Sequence, residues 1–481
     1  MAQALPPIAR MGLSPMDGLT TVILAAGEGK RMRSRTPKVL HELCGRPLIS
    51  YPLRLAQTLA DRVVIVVGPN AEGVRSAAGD GVTIVEQRER LGTGHAVLQT
   101  REACPDKGAL LVLAADMPLL LLETIERLVE HHRASGAAAT VLTAVVERPH
   151  GYGRVLRQGG RVKRIVEDRD ATDDQKKISE INTSVYCFDA RRLWPALAEV
   201  KPDNDQGELY LTDVIGVLAR AGAKVEAVTV ADPVEAMGIN DRKQLAALAA
   251  IQRRRILDRL MVEGVTVHDP ASTYIDDTVT IGPDSVVHPQ TVITGATTIG
   301  SECVIGAGSH VSDSRLADRV SLMPYSIIEA AVIEEDATLG PFCHVRPGCV
   351  IGAGAEIGNY AELKNSRVGR KTKMHHVSYL GDATVGDDVN VGAGMITANY
   401  DGFRKHPTVI GDGAFVGTNS SLVAPLTVGP GAYVAAGSVI TRDVAADALA
   451  VERSQPVTKD GWAARWRATN EKKKAEKKKE G

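Results

Sequence analysis

Two stretches of the sequence combine residue types that do chemistry. In "LAAGEGKRMRSRTPKVL" an apolar run opens into a loop with Gly27 and Gly29, followed by Lys30, Arg31 and Lys38. Glycines let a backbone approach phosphate oxygens closely, and the cations neutralise their charge, so a nucleoside triphosphate is a natural guest. The spacing is neither G-x-x-x-x-G-K-[ST] nor G-x-G-x-x-G, which argues against a P-loop ATPase and against a dinucleotide site. Further on, Asp116 follows the apolar run "LLVLAA" and precedes Pro118. A carboxylate at a strand end can meet Mg²⁺ together with substrate phosphates; the competing reading is a turn or helix cap. Gln87, in "QRERLGTGHA", is an amide that can read a base edge, with Gly92 and Thr93 in a tight turn beside it. The second stretch is "KMHHVSYLGD", residues 373 to 382, where His375 and His376 follow cations and precede Tyr379. A neutral imidazole, with an ordinary pKa of roughly 6.5, suits removal of a proton from an amine near neutral pH. Two surface histidines on a distorted turn are the alternative.

The elements that must position these residues differ between the two halves. Residues 20 to 230 alternate apolar runs ("TTVILAAG", "RVVIVVG", "GALLVLAAD", "AATVLTAVVE") with helical patterns such as "LLLETIERLVEHH". That alternation predicts an α/β layered domain with a mostly parallel sheet, whose ligands gather at the carboxyl ends of the strands. From Asn240 the pattern of Leu245, Leu248, Ile256 and Leu260 predicts an amphipathic linking helix ending near Gly264.

Beyond it, Ile281, Val287, Ile293, Ile299, Ile305 and Val311 fall six apart, as do Ile327, Ile333, Leu339, Val345, Ile351, Ile357 and Leu363. Ile410, Val416, Leu422, Val428, Val434 and Ile440 repeat the spacing. This is the signature of a hexapeptide β-helix, with coils stacked over a narrow core. The spacing loosens between Leu363 and Val385, and "GAGMITANYDGFRKHPT" displaces it between Val391 and Ile410, which predicts a loop bulging from the coil. The ending, "EKKKAEKKKEG", is expected to be a disordered charged tail.

Lys plus Arg number 57 against 58 for Asp plus Glu, a balance that offers no global field to nucleic acid or a membrane surface. No apolar run reaches 18 residues, and the first 18 residues lack the features of a secretory signal. Six scattered cysteines without C-x-x-C spacing argue against zinc and a disulfide framework, and fit a reducing cytosol.

The motifs "LAAGEGKRM…PKVL", "QRERLGTGHA", "DMPL", "GYGRV…IVED", "EINTSVY" and "QGELYLTDVI", together with the β-helix, make residues 20 to 465 similar to the bacterial bifunctional N-acetylglucosamine-1-phosphate uridyltransferase and glucosamine-1-phosphate N-acetyltransferase family. The resemblance implies a Rossmann-like nucleotidyltransferase domain at 19–241, a linker helix at 242–263, a left-handed parallel β-helix at 264–457 and terminal segments at 1–18 and 458–481. It implies that Leu24, Ala25, Ala26, Gly27 and Lys38 hold the UTP phosphates, and that Gln87, Gly92 and Thr93 hold the uracil. Gly153, Glu167 and Asn182 take the sugar, while Asp116 and Asn240 take Mg²⁺. Ala114 and Ala115 precede Asp116 where family members often have a glycine.

In the second half the resemblance makes His376 the catalytic base and assigns glucosamine 1-phosphate to Arg346, Lys364, Tyr379 and Asn390. Ala393, Thr418, Ala436 and Arg453 fall to acetyl-coenzyme A, with Asn399 and Tyr400 where amino sugar and acetyl-coenzyme A meet. Thr418 stands where serine is common. A cytoplasmic homotrimer is implied, making UDP-N-acetylglucosamine for peptidoglycan and other envelope sugars, with no nucleic-acid or membrane partner. The rival readings are a single-function nucleotidyltransferase with a structural or regulatory β-helix, and a non-catalytic assembly protein.

Overall fold

A computed structural model describes residues 16–69 and 71–477. The chain divides into two compact units. One runs to Val262 and takes in Tyr274–Val279; the other comprises Glu263–Thr273 and the chain from Thr280 onward. The expected extension at 1–18 lies outside the described residues up to residue 15.

The first unit is built on a nine-stranded sheet. Its strands are β1 (Leu19–Ala25), β2 (Arg62–Val67), β3 (Thr83–Glu86), β4 (Ala109–Ala114), β5 (Ala139–Val145), β6 (Arg154–Gln158), β7 (Arg161–Val166), β8 (Glu180–Asp189) and β9 (Val225–Thr229). The order is β9-β5-β8-β4-β1-β2-β3, with β6 on β8 and β7 on β6. β1 is parallel to β2 and β4, whereas β8 runs antiparallel to both β4 and β5. All four runs named in the sequence as strands are strands here, and Leu122–Ser135 is the expected helix.

Side chains alternate faces along a strand, so a sheet covered on both sides needs apolar residues at every position. Leu19 and Ile23 of β1 and Leu111 and Leu113 of β4 enter one core; Val22, Leu110 and Val112 enter the other. The helix Arg242–Val262 belongs to this unit, where Leu248 packs with Leu43, Leu48 and Tyr51. Among the described residues no helix is long and apolar enough to cross a membrane.

The second unit is a parallel β-helix of two- to four-residue strands in stacked parallel sheets. Each coil hydrogen-bonds to the next: Val287 pairs with Ile305, three hexapeptides on. The first and third aliphatic series are buried throughout. In the middle series, Ile327 is 40% exposed and Ile328 is the inward residue, corrected by one position. The step from Ile328 to the buried Ile333 is five residues, because one corner is a residue short.

The loosening after Leu363 has the same cause. Leu363, Val368, Met374, Leu380, Val385 and Val391 are all buried, so the coil continues through "KMHHVSYLGD" with Met374 and Leu380 facing in. The expected bulge is present: Val385 pairs with Val368 one short coil earlier, yet with Ile410 on the other side, across an inserted loop. The tail departs from expectation. Trp462–Lys477 is a helix, exposed as far as its side chains are described, rich in the helix formers Ala, Arg, Lys and Glu. Residues 478–481 lie outside the described residues.

His132, in the helix Leu122–Ser135, is buried with Nδ1 3.0 Å from Thr140 Oγ1. Burial pushes its pKa down to about 4. The unfolded chain then binds a proton, from about pH 6.5 downward, that the folded chain takes up only near pH 4, so stability falls with acidity across that window. The loss approaches ~3 kcal/mol by pH 4. Urea midpoints of the first unit's transition at pH 7, 5.5 and 4.5 are expected to drop steeply in wild type and less in His132→Gln; equal slopes would contradict the assignment.

Candidate functional sites

In the first unit the carboxyl ends of β1 and β4 and the segment after β3 help surround a cavity of about 670 Å³. Leu24, Ala25, Ala26, Gly27, Lys38, Gln87, Gly92, Thr93, Asp116 and Asn240 all line it. Lys30 and Arg31 do so as well, and so do Arg90, Ser184 and Glu208, which the sequence did not single out. Arg90 lies within a quoted motif, but only the fold brings it to the loop, where Nε donates to the Ala26 carbonyl at 3.1 Å and the guanidinium pairs with Glu28.

Lys38 Nζ is 2.5 Å from Asp116 Oδ2 and 3.3 Å from Asn240 Oδ1. A carboxylate and an amide oxygen thus converge on one cation at the cavity floor. With phosphate oxygens and water they supply the all-oxygen donors that Mg²⁺ prefers. Ala115 is buried in a core, so its methyl is directed to packing, and Ala114 is the one that meets the cavity.

Gly92 carries a φ of 103°, and a Cβ there would lie 2.6 Å from the Leu209 carbonyl, so only glycine fits. Rather than closing a turn, it caps the helix Thr93–Leu98, and Thr93 Oγ1 accepts from the Leu211 N–H at 3.0 Å.

Gly153, Glu167 and Asn182 do not line the cavity. They form a cluster of their own: the Asn182 N–H donates to the Gly153 carbonyl at 2.8 Å, and Gly153 lies against the Glu167 carboxylate. A bulge in β8 links this cluster to the cavity, because Asn182 Oδ1 accepts from the N–H of Ser184, a cavity residue. Burial raises the Glu167 carboxyl above the usual range, and Thr212 donates to it at 3.2 Å.

In the second unit two groups of residues come together. Asn359 pairs in register with His376, and Met374, Val391, Val416 and Val434 are successive partners. Two residues beyond these four stand His376, Ala393, Thr418 and Ala436, forming one column, one residue per coil. Arg453 closes its lower end, Nη1 donating to the Ala436 carbonyl at 2.7 Å. The column from His376 to Ala436 spans roughly 14 Å at ~4.8 Å per coil.

The histidines differ in partners. His376 Nδ1 is 3.3 Å from Asn359 Oδ1, and His375 Nε2 is 2.8 Å from Glu356 Oε2. The His375 contact holds the Glu356 carboxyl below its usual range. An amide oxygen only accepts, so His376 carries its proton on Nδ1 and leaves Nε2 as the basic nitrogen.

On the adjoining sheet, Arg346, Lys364 and Tyr379 gather with Glu362, Asp382, Asn399 and Lys405. Arg346 Nη1 donates to Glu362 Oε1 at 3.0 Å, and Asn399 Nδ2 to Asp382 Oδ2 at 2.6 Å. Tyr379 lies over Gly381, where a Cβ would be 2.5 Å from the tyrosine oxygen and 2.7 Å from Asn399 Nδ2. Lys405 arrives on the inserted loop, which closes through a Tyr400 to Lys405 bridge; its place in "FRKHPT" gives no hint of that reach. Tyr400 is exposed, with its hydroxyl on Gly402. Asn390 stands apart, beside Lys373 and Phe415 on the sheet that carries the histidines.

Lys405 and then Arg346 hold the Lys364 ammonium below the ordinary lysine range. An anion seated there would raise it again, so binding takes up protons and weakens as pH climbs through the lowered pKa. Inorganic phosphate affinity, measured by calorimetry, is expected to fall at alkaline pH, and in Lys405→Ala to be weaker overall with its alkaline fall moved to higher pH. An unmoved fall would contradict the coupling.

Family models agree with this division. One described as a MobA-like NTP transferase domain matches residues 21–221, a GMPPB C-terminal domain matches 272–353, and a bacterial transferase hexapeptide of six repeats matches 407–442. A bifunctional protein GlmU of Brevibacillus brevis is 47% identical over 93% of this chain and 98% of its own length. One from Fervidobacterium nodosum is 47% identical over 92% and 97%, and one from Pediococcus pentosaceus 48% over 92% and 95%. Similarity of this extent, through both halves, makes the chain a member of the bifunctional GlmU family of uridyltransferases and acetyltransferases that its motifs resemble.

Proposed function

We propose that the chain makes UDP-N-acetylglucosamine in two steps, acetylating glucosamine 1-phosphate in the second unit and uridylylating the product in the first. The observation that carries this reading is that each unit holds its own convergent set of groups: Lys38, Asp116 and Asn240 in one, and in the other His376 at the head of its column and the Lys364 cation cluster.

For acetyl transfer, Arg346, Lys364 and Lys405 hold the phosphate of glucosamine 1-phosphate, with Tyr379 and Asn399 beside them. His376 Nε2 takes a proton from the ammonium, the amine attacks the thioester carbonyl, and the coenzyme A thiol leaves. His376 is favoured over His375 because His375 Nε2 is engaged by Glu356. The column Ala393, Thr418 and Ala436 offers small side chains along a length that suits an extended pantetheine arm, with Arg453 at its end for phosphate.

For uridylyl transfer, the phosphate of N-acetylglucosamine 1-phosphate attacks the α-phosphorus of UTP and pyrophosphate leaves, which requires positioning and charge neutralisation and no protein nucleophile. The Leu24 to Gly27 loop and Lys38 hold phosphates, Gln87, Gly92 and Thr93 the uracil, and Glu167 and Asn182 the sugar. Asp116 and Asn240 would hold Mg²⁺, which would supply charge neutralisation for the phosphates.

The reading includes a cytoplasmic homotrimer. Its support is an exposed ladder at one corner of the β-helix: Tyr325, Phe342 and Tyr360 stack with centroids 5.4 and 5.3 Å apart, and Val377 continues the ladder to the histidine corner. An exposed apolar ridge of this kind marks a protein contact. Phe342→Glu is expected to convert trimers to monomers in light scattering; an unchanged mass would contradict this use of the ridge.

The enzymatic test is thiol release from acetyl-coenzyme A with glucosamine 1-phosphate. His376→Ala is expected to lose at least a hundredfold, within the range for a general base, with uridylyl transfer intact and His375→Ala within a few-fold of wild type. Equal losses in both variants would contradict the assignment.

A further inference from the structure

Gln87 is buried, and both hydrogens of its amide are committed. Nε2 donates to the Gly92 carbonyl at 3.1 Å and lies 3.0 Å from His95 Nδ1. The Gly92 contact does not tolerate reversal. Gly92 is fixed by its φ of 103° and by Leu209, and its carbonyl also accepts from the Ala96 N–H at 3.1 Å, so both lone pairs are used. Turning the Gln87 amide over would set oxygen against oxygen there.

His95 Nδ1 must therefore accept. A neutral imidazole has one acceptor nitrogen and one donor, so His95 carries its proton on Nε2. That nitrogen lies 3.0 Å from the amide of Gln99, an exposed residue at the end of the same helix, which is free to turn its carbonyl oxygen inward. The buried glutamine decides the tautomer and the exposed one adapts.

We propose that His95 is a positioning residue for base selection. With the Gly92 carbonyl it takes both amide hydrogens of Gln87, so Gln87 offers the cavity only its carbonyl oxygen. Among pyrimidines, that edge accepts uracil, whose N3 carries a hydrogen, and rejects cytosine, whose N3 is a lone pair. This rests on the reading that Gln87, Gly92 and Thr93 hold the base; the part that goes beyond it is how Gln87 is oriented. Sites built around a fixed hydrogen-bond polarity discriminate strongly, because the wrong partner leaves a buried polar atom unpaired.

The test is pyrophosphate release by the full-length protein with N-acetylglucosamine 1-phosphate and UTP, CTP or N3-methyl-UTP. In His95→Phe, kcat/KM for UTP is expected to fall about tenfold, mostly through KM, the equivalent of one neutral hydrogen bond. The value for CTP is expected to hold, so the UTP/CTP ratio narrows about tenfold. His95→Gln, which restores an acceptor, is expected to recover most of the ratio. The retained CTP value and an unshifted urea midpoint of the first unit's transition report folding in the same samples, and His95→Leu supplies the same test should the phenylalanine variant be insoluble. An unchanged ratio, or equal losses for both nucleotides, overturns the role of His95. Wild type turning over N3-methyl-UTP as well as UTP overturns the base reading itself, whatever His95 does.

Discussion

The narrow interior of the β-helix constrains everything outside it. One aliphatic side chain per six residues fills the core, and each coil hydrogen-bonds to the next in parallel register. Outward positions therefore recur directly above one another about every 4.8 Å. Chemistry on such a scaffold is written in columns. His376, Ala393, Thr418 and Ala436 are far apart in sequence and adjacent in space because the core leaves them no other arrangement. The first unit solves the same problem with the ends of strands. Its doubly covered sheet sends the Gly27 and Gly29 loop, a lysine, a carboxylate and an amide to one cavity.

Much of this is legible in the sequence, for reasons of periodicity. The four buried strands of the first unit and the helix between them stood out because a sheet covered on both faces needs unbroken apolar runs. The antiparallel strand Glu180–Asp189 did not, because "EINTSVY" carries polar residues at its bulge, where they make the Gly153, Glu167 and Asn182 cluster. In the second unit, strict counting by six assigned Ile327 to the core, and a corner one residue short moved that place to Ile328. Short corners also explain why the histidine stretch looked like a break in the repeat. Met374 and Leu380 keep the core continuous, and the histidines are ordinary outward positions with unusual side chains.

What stayed hidden was long-range. Lys405 joins Lys364 only because the inserted loop folds back, and Arg90 reaches Ala26 only because β2 lies beside β1 and β3 beside β2. No local pattern encodes either contact. The tail is helical against the expectation from its composition, because a charged, lysine-rich segment can be helical when its residues are good helix formers, even with no core to pack on.

The proposed two-step synthesis requires two complete and independent active sites on one chain. Asp116→Asn protein, lacking the cavity carboxylate, and His376→Ala protein, lacking the base, are each incubated with glucosamine 1-phosphate, acetyl-coenzyme A, UTP and Mg²⁺, then mixed in equal amounts. Little UDP-N-acetylglucosamine is expected from either alone, and steady formation from the mixture, after a lag while free N-acetylglucosamine 1-phosphate accumulates. A mixture as inactive as its components would mean that the two sites do not work independently, and would contradict the two-step synthesis.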